Sequence, residues 1–380
     1  MAKFVVLGGA GDMGSAVVND LVNSSADEVL IADINEARGS ALVSKYKDCE
    51  RSRVSFVRVD VLDSSSLKSA FAGSDVVINT VGPFYKFEKG IISAALGASI
   101  DYVDICDDHD ATRAVFEEKG KIDGGKSRIL VGMGWTPGIT NVLARSAYLE
   151  LENVTDIDIA WSGSAADAAG IAVISHVFHV VTGDVPVFLD GRIENIPARQ
   201  MRKEIEFPDP VGKLETYVVG HPEPLTVPLF LKGLKNVILR GALTPVWQNH
   251  LVSQFADVGL TEDKQIRVGN ASVSARDFLS SFVHETMDQF KAGGAEVSGF
   301  YVEARGKRNG SNAVIRYSGA DRMFKLTGWS ASIGAQYLAA NRNHKPGLYA
   351  PEGIIDPGFF IKELTSRGIR IHKSVTVEES

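Results

Sequence analysis

Phe4-Val5-Val6-Leu7-Gly8-Gly9-Ala10-Gly11-Asp12-Met13-Gly14 is the stretch on which the fold turns. Its apolar run is short enough for a buried strand and ends in glycines. Met13, Val17, Val18, Leu21 and Val22 then recur at helical spacing. Gly9-x-Gly11-x-x-Gly14 therefore lies in the order strand, turn, helix. In that setting Gly9 permits the tight turn, Gly11 lets the backbone approach a pyrophosphate, and Gly14 lets the helix pack closely. The free first-turn amides and the helix dipole favour an anion there. A glycine turn that binds nothing is the bland alternative. Against it stands Val29-Leu30-Ile31-Ala32-Asp33, a second strand ending in a carboxylate. Dinucleotide fingerprints place their ribose contact about 20 residues on in this way.

The alternation continues through the first third of the chain. Residues 35–46 read as a helix, 54–60 as a third strand, and 64–71 as a helix capped by Ser64 or Ser65. Residues 76–80, 101–105 and 128–133 read as further strands, with helices over 88–96 and 111–119. Strands alternating with helices at this spacing predict the α/β class, with a doubly wound, Rossmann-type parallel sheet. Ligands of such sheets sit beyond the carboxyl ends of the strands. That rule selects the loops after Leu7, Asp33, Asp60, Thr80, Ile105 and Met133.

Each loop has a chemical reading. Asp33 should accept hydrogen bonds from adenosine ribose hydroxyls, and its charge repels a 2′-phosphate, so NAD is expected. Arg38 lies near enough in sequence to leave NADP open. Asp60 is read as a contact to the adenine edge or as a strand-end turn. Asn79, Gly82 and Pro83 are placed where the chain passes the nicotinamide ribose. Asp104, Cys106, Asp107, Asp108 and His109 form the densest titratable cluster. Grouped carboxylates beside an imidazole can shift one another's pKa, as acid–base catalysis requires. The alternative is a capping loop in which Asp107 or Asp108 starts the next helix. Cys106 reads as a buried small residue, since hydride chemistry needs no nucleophile.

At 380 residues the chain is long enough for two domains. Its 44% apolar and 23% charged content is ordinary for a globular protein. A net charge of −7 gives no support to nucleic acid or an anionic membrane as partner. No apolar run reaches the length of a bilayer span, and no signal peptide is read before the first strand. Two cysteines, Cys49 and Cys106, are too few for a disulfide framework or a zinc site, and a cytoplasmic location is expected.

Gly134-Trp135-Thr136-Pro137-Gly138 leads out of the sixth strand. Thr136 suits an N-cap and Pro137 the first helical position. Beyond about residue 152 strand-like runs appear at 154–161, 193–196, 215–219, 237–240, 297–305 and 312–317. Asn309-Gly310 between the last two signals a hairpin, read as having a connection longer than two residues. Helices are expected over 171–181, over 275–290 with Ser274 and Asp277 capping, over 333–340, and from Asp356-Pro357 to Gly368. The tail past Val375 is expected to fray. This mixture predicts an inserted α+β domain with a largely antiparallel sheet. His176 and His179 share a helix face, but no third ligand or zinc motif accompanies them, so a pocket or packing role is expected and no metal. Arg192, Arg240 and Thr244 are candidates for gripping a substrate carboxylate.

Taken together, the glycine fingerprint and residues 79–84, 102–108, 134–141, 239–245 and 347–368 resemble the saccharopine dehydrogenase family over nearly the whole chain. The resembled branch is the glutamate-forming saccharopine reductase type, which includes carboxynorspermidine dehydrogenase and lysine 6-dehydrogenase. The resemblance implies a Rossmann NAD(P)-binding domain over 1–135 with 329–370, and an α+β substrate and dimerisation domain over 136–328. It implies a homodimer and NAD(P)-linked chemistry at a carbon–nitrogen bond of saccharopine, lysine or a related amino acid or polyamine precursor. Cofactor contacts carry over onto Gly9, Gly11, Asp12, Met13, Asp33, Asp60 and Gly82. Substrate contacts carry over onto Asp107, Trp135, Thr136, Arg240 and Thr244. The chain lacks room for the extra helical domain of the longer saccharopine reductases.

The expectation is an oxidoreductase with a small amino-acid or imine substrate. Asp107 or His109 moves the proton, and Arg240 holds the carboxylate. A non-catalytic nucleotide sensor and a reductase of a non-amino-acid carbonyl are the alternatives, since a fold alone does not settle function.

Overall fold

The opening run forms β1, Lys3–Leu7, and the glycine turn delivers the chain into α1, Asp12–Ser24. The computed structural model describes residues 2–25, 27–49, 52–167, 170–291 and 293–378. It divides the chain into two units, Met1–Val142 with Phe324–Ser366, and Leu143–Met323 with Arg367–Ser380.

In the first unit α1 is followed by β2 (Glu28–Asp33), α2 (Glu36–Lys45), β3 (Arg53–Arg58), α3 (Ser64–Phe71) and β4 (Val76–Asn79). Then come α4 (Phe84–Ala98), β5 (Asp101–Asp104), α5 (His109–Phe116), α6 (Lys119–Asp123) and β6 (Arg128–Leu130), while α7 (Ile139–Glu150) begins in this unit and continues into the second. The sheet order is β3-β2-β1-β4-β5-β6, extended by a seventh strand, Gly347–Tyr349, beside β6. Every pairing in it is parallel. A parallel sheet covered on both faces buries nearly every strand side chain, which is why its strands read as continuous apolar runs. Val5, Leu7, Val77, Tyr102 and Ile129 lie in one buried cluster. Each such side chain contributes roughly 1.5–3 kcal/mol on burial.

Several boundaries differ from expectation for local reasons. The cap of α3 is Asp63, whose carboxylate accepts from Ser65 N at 2.9 Å. α4 starts at Phe84, not 88, because the Asp108 carboxylate accepts from the amides of Phe84 and Tyr85 at 3.1 and 3.3 Å. Asp108 thus serves α4, not α5. The expected helix over 111–119 starts at His109 and breaks into α5 and α6. The sixth strand stops at Leu130 because Gly132 takes φ 80 and turns the chain. Thr136 is not an N-cap: the Thr136–Pro137 peptide is cis and α7 begins at Ile139. Asn141, inside the first turn of α7, reaches back instead, its side-chain oxygen accepting from Gly138 N at 3.1 Å.

β6 is held to β5 by Arg128. Its guanidinium pairs with Asp101 and donates to Asn341 O at 2.6 Å, and its side chain is 7% exposed. Arg128→Met should lower unfolding free energy by about 3 kcal/mol, because it leaves Asp101 without its counter-charge. Denaturant titration checks this, and a loss under 1 kcal/mol would show the pair to be dispensable.

The second unit contains β7 (Glu152–Ser164), α8 (Ile171–Val180), β8 (Asp184–Leu189), β9 (Arg192–Pro197), β10 (Lys203–Glu206) and β11 (Lys213–Val218). It continues with α9 (Glu223–Phe230), β12 (Asn236–Thr244), α10 (Trp247–Asp257), β13 (Gln265–Val268) and β14 (Ala271–Ser274). α11 (Ala275–Glu285), α12 (Met287–Lys291), β15 (Ser298–Arg308) and β16 (Ser311–Asp321) follow. Ser274 caps α11 by accepting from Asp277 N, and the expected single helix over 275–290 breaks after Glu285. The main sheet runs β10-β11-β12-β7-β15-β16 and ends on His372–Val377. It is mixed, mostly antiparallel, with β12 and β7 running parallel.

Two corrections concern its edge. Arg308 pairs with Ser311, so the hairpin connection is only Asn309-Gly310. Their φ values of 53 and 83 are those a two-residue primed turn needs. Of the tail expected to fray past Val375, residues 376 and 377 are instead strand, paired antiparallel with β16 in a ladder from Ser318↔His372 to Ala313↔Val377, and residues 379 and 380 lie outside the described residues.

Candidate active site

The carboxyl edge of the first unit's sheet is where the expected cofactor residues gather. The left-handed residue of the glycine turn is Gly8 (φ 71), so the tight turn falls there and not on Gly9. Gly14 meets that turn from α1: a Cβ on it would lie 2.1 Å from Gly8 O and 2.7 Å from Gly9 Cα. The turn and helix are therefore pressed together with no room for a side chain. α1 begins after Gly11, and among the described residues no side chain caps it. Asp12 and Met13 open the helix, and Asp12 pairs with Arg38 at 3.3 Å on the exposed face. A close-packed turn feeding an uncapped helix is the cradle a pyrophosphate requires. Gly9, Gly11, Asp12, Met13 and Gly14 thus fit a dinucleotide.

Asp33, at the end of β2, accepts from Ala10 N at 3.0 Å and Asn35 N at 2.9 Å. It ties the glycine turn to β2, and its carboxylate retains lone pairs for ribose hydroxyls. Arg38 faces Asp12 instead of Asp33. Asp60 forms a strand-end turn, accepting from Leu62 N at 3.0 Å. The Gly82–Pro83 peptide is cis and leads directly into α4. Asn79 corrects an expectation: it is fully buried, donating to the Tyr102 hydroxyl at 2.9 Å and accepting from Val81 N at 3.0 Å. It shapes the loop from beneath and cannot touch a ribose.

The acidic cluster after β5 separates into two kinds of residue. Asp104 is fully buried, accepting from Gly132 N at 2.7 Å and Cys106 N at 3.0 Å on one oxygen. The carboxyl of Glu88 on α4, also buried, lies beside it. Two carboxylates cannot both be charged there, so one proton stays between them. Glu88 carries it: burial first, then the adjacent Asp104, pushes its carboxyl well above the usual range. Asp104, with two amides on it, is the better anion. Burial also pushes the Tyr102 hydroxyl and the Cys106 thiol well up, and Cys106 is no nucleophile. Asp107 and His109 are the cluster members left partly exposed.

Glu88 was not singled out from the sequence. The available signal was its place four residues from both Phe84 and Ile92 on an apolar helix face. Glu352 was missed as well. It accepts from Asn141 Nδ2 at 2.8 Å and so anchors the Gly134–Asn141 loop from far along the chain. Trp135 and Thr136 of that loop are each 7% exposed.

In the second unit Arg240, expected to grip a substrate carboxylate, is engaged within the protein. Its guanidinium pairs with Asp158, its Nε donates to Met201 O at 2.9 Å, and its side chain is 7% exposed. Thr244 ends β12, its hydroxyl 3.4 Å from Gly163 O. Arg192 pairs with Glu194 on the surface.

A parallel sheet with this cradle, joined in one chain to a mixed-sheet unit, is the architecture of a two-unit protein of the dinucleotide-binding class. Residues 4–126 match the model of the saccharopine dehydrogenase NADP binding domain, and residues 134–369 match that of the saccharopine dehydrogenase C-terminal domain. The chain belongs to the saccharopine dehydrogenase family. Its fold is similar to that of apo histidine-tagged saccharopine dehydrogenase (L-Glu forming) from Saccharomyces cerevisiae, with a TM-score of 0.72 at 16% identity over 99% of this chain and 100% of that one. Uncharacterized protein 052L of Frog virus 3 (isolate Goorha) is 37% identical over 84 residues, a match spanning 22% of each chain. Among the described residues no helix is long and apolar enough to cross a membrane.

Proposed function

We propose that this chain is an NAD(P)-dependent oxidoreductase acting on a carbon–nitrogen bond of an amino acid, with NAD preferred. The observation that carries the reading is the uncapped start of α1 on a turn that no side chain could enter. The cofactor, when bound, supplies the hydride chemistry. The glycine turn holds its phosphates, Asp33 the ribose hydroxyls, and the loop at Gly82-Pro83 the nicotinamide end. Oxidation removes a hydride from the carbon and a proton from the nitrogen, and water then hydrolyses the imine. Asp107 or His109, the partly exposed members of the cluster, takes the proton from nitrogen. The substrate class is saccharopine, lysine or a related amino acid or polyamine precursor, and the assembly is a homodimer.

The test is reduced-nicotinamide absorbance on a panel of amino acids with NAD and NADP. Asp107→Asn should lower turnover about 100-fold, in the range of one lost acid–base group, with NADH affinity unchanged. Unchanged turnover would pass the role to His109. Cofactor binding without turnover on any amine would identify a sensor instead.

A further inference from the structure

The main sheet of the second unit ends on β10 at one side and on His372–Val377 at the other. All six residues of that last strand are exposed, Val375 by 38% and Val377 by 45%. An edge strand presents a row of main-chain donors and acceptors, and natural proteins blunt such edges with charge, proline or a short strand. β10 is blunted in two of these ways: it has four residues, and Lys203, Glu204 and Glu206 are three of them. The last strand has six residues and a single lysine. The Lys373 ammonium is drawn back into its own unit, donating to Glu150 Oε1 at 2.7 Å and lying 5.4 Å over the Tyr317 ring.

Which main-chain groups face outward follows from the register. Glu378 N donates to Asn312 O at 2.9 Å, so position 378 faces β16. Main-chain direction alternates along a strand, so 372, 374 and 376 face β16 as well. The N–H and C=O of Lys373, Val375 and Val377 therefore point out of the sheet's edge. Two antiparallel copies can exchange such bonds only where outward positions stand opposite one another. Setting Val375 against the second copy's Val375 uses all three. That register also sets Lys373 against the second copy's Val377, Ser374 against its Thr376, and His372 against its Glu378. Hydroxyl meets hydroxyl, imidazole meets carboxylate, and the aliphatic stem of lysine covers a valine. Glu378 Oε2 accepts from Asn312 Nδ2 at 3.0 Å, and a carboxylate has acceptor sites for an imidazole besides. A shift of two residues either way loses the His372–Glu378 match and runs one outward position past the strand's end.

We propose that His372–Val377 is the surface through which two copies of this chain pair, edge to edge and antiparallel about a two-fold axis at Val375, a placement resting on the homodimer reading above. The pairing forms about six main-chain hydrogen bonds and joins the two main sheets into one. The occupant is a second copy because the strand complements itself when reversed, at the charged, hydroxyl and valine positions alike. A self-complementary contact of this kind closes as a dimer and does not propagate. A strand edge buries less than the roughly 800 Å² per partner of a standard interface, so a dissociation constant of about 10 μM is expected.

Sedimentation velocity of the intact chain, at concentrations on either side of that value, should show monomer giving way to dimer. Val375→Pro removes the central outward N–H and should weaken association at least about 10-fold. An edge strand tolerates proline where its N–H faces outward, so the variant keeps its fold, which circular dichroism checks. The register has its own test in a Cys49→Ser background, where the remaining native thiol, Cys106, is buried. Chains carrying Ser374→Cys and Thr376→Cys should form a disulfide-linked dimer on oxidation when mixed, and far less when alone. Opposed Cα atoms there lie about 4.5 Å apart, whereas like positions lie beyond the roughly 7 Å limit of a disulfide. Wild-type association by Val375→Pro, or a mixture that links no better than either chain alone, would overturn the edge pairing and leave the homodimer to another surface. A wild-type chain that stays monomeric throughout would overturn the homodimer reading itself, and the pairing with it.

Discussion

Replacing Gly14 by valine should abolish binding of NADH and NADPH alike. A Cβ there would stand 2.1 Å from Gly8 O and 2.7 Å from Gly9 Cα, and both are backbone atoms that cannot rotate aside. Relief requires α1 to move away from the turn, which carries its first amides out of line with the phosphates. Charge-assisted hydrogen bonds to a phosphate weaken steeply with such displacement. We expect at least a 100-fold loss of affinity, about 2.7 kcal/mol. Strain of this kind also costs roughly 1–3 kcal/mol of stability, so circular dichroism must confirm the fold. Gly90→Ala is the control. It lies on α4 with nothing within 4 Å of its Cβ, and it should leave binding unchanged.

Asp104→Ala should be the most destabilising single change in the first unit. It strips the acceptor from the buried amides of Gly132 and Cys106 and leaves Glu88 facing a cavity. Unsatisfied buried donors cost about 1–3 kcal/mol each, so a loss of roughly 3–5 kcal/mol is expected. Glu88→Gln should do the opposite. A group whose acid is favoured by folding keeps its proton in the native state while the unfolded chain ionises near its ordinary pKa, about 4.3. Stability is then full below that pH and falls as pH rises toward the raised native value. Glutamine cannot ionise, and its amide can donate to Asp104 as the protonated acid does. Urea titrations at pH 5 and pH 8 should show wild-type stability falling with pH and the variant's curve flatter. Parallel curves would mean that Glu88 does not hold the proton.

What could be read from the chain followed from how local each signal is. The glycine turn, Asp33 and the strand–helix alternation are contiguous patterns, and the parallel sheet follows from them. Asn309-Gly310 was legible as a turn, but its two-residue register depends on which residues pair across the sheet. The strand at 372–377 is polar and short, and it becomes a strand only because β16 offers it an open edge. Gly347–Tyr349 is three residues, too brief for any period, and joins the sheet through β6.

The site divides in the same way. Asp107 and His109 follow the carboxyl end of β5 and are partly exposed. Asp108 looked like the cap of its own helix, yet its carboxylate crosses to α4, a tertiary choice no spacing encodes. Arg240 looked like a free cation because its partner Asp158 lies 82 positions away on β7. His176 showed its pairing with His221 only once α8 and the segment before α9 were placed together.

Titration calorimetry of the intact chain with NADH, beside Gly14→Val, tests the central claim most directly. One mole of NADH should bind per chain of the wild-type protein with release of heat, and none should bind the variant. Failure of the wild-type protein to bind either NADH or NADPH, or equal binding by the variant, would contradict a cofactor held at the opening turn.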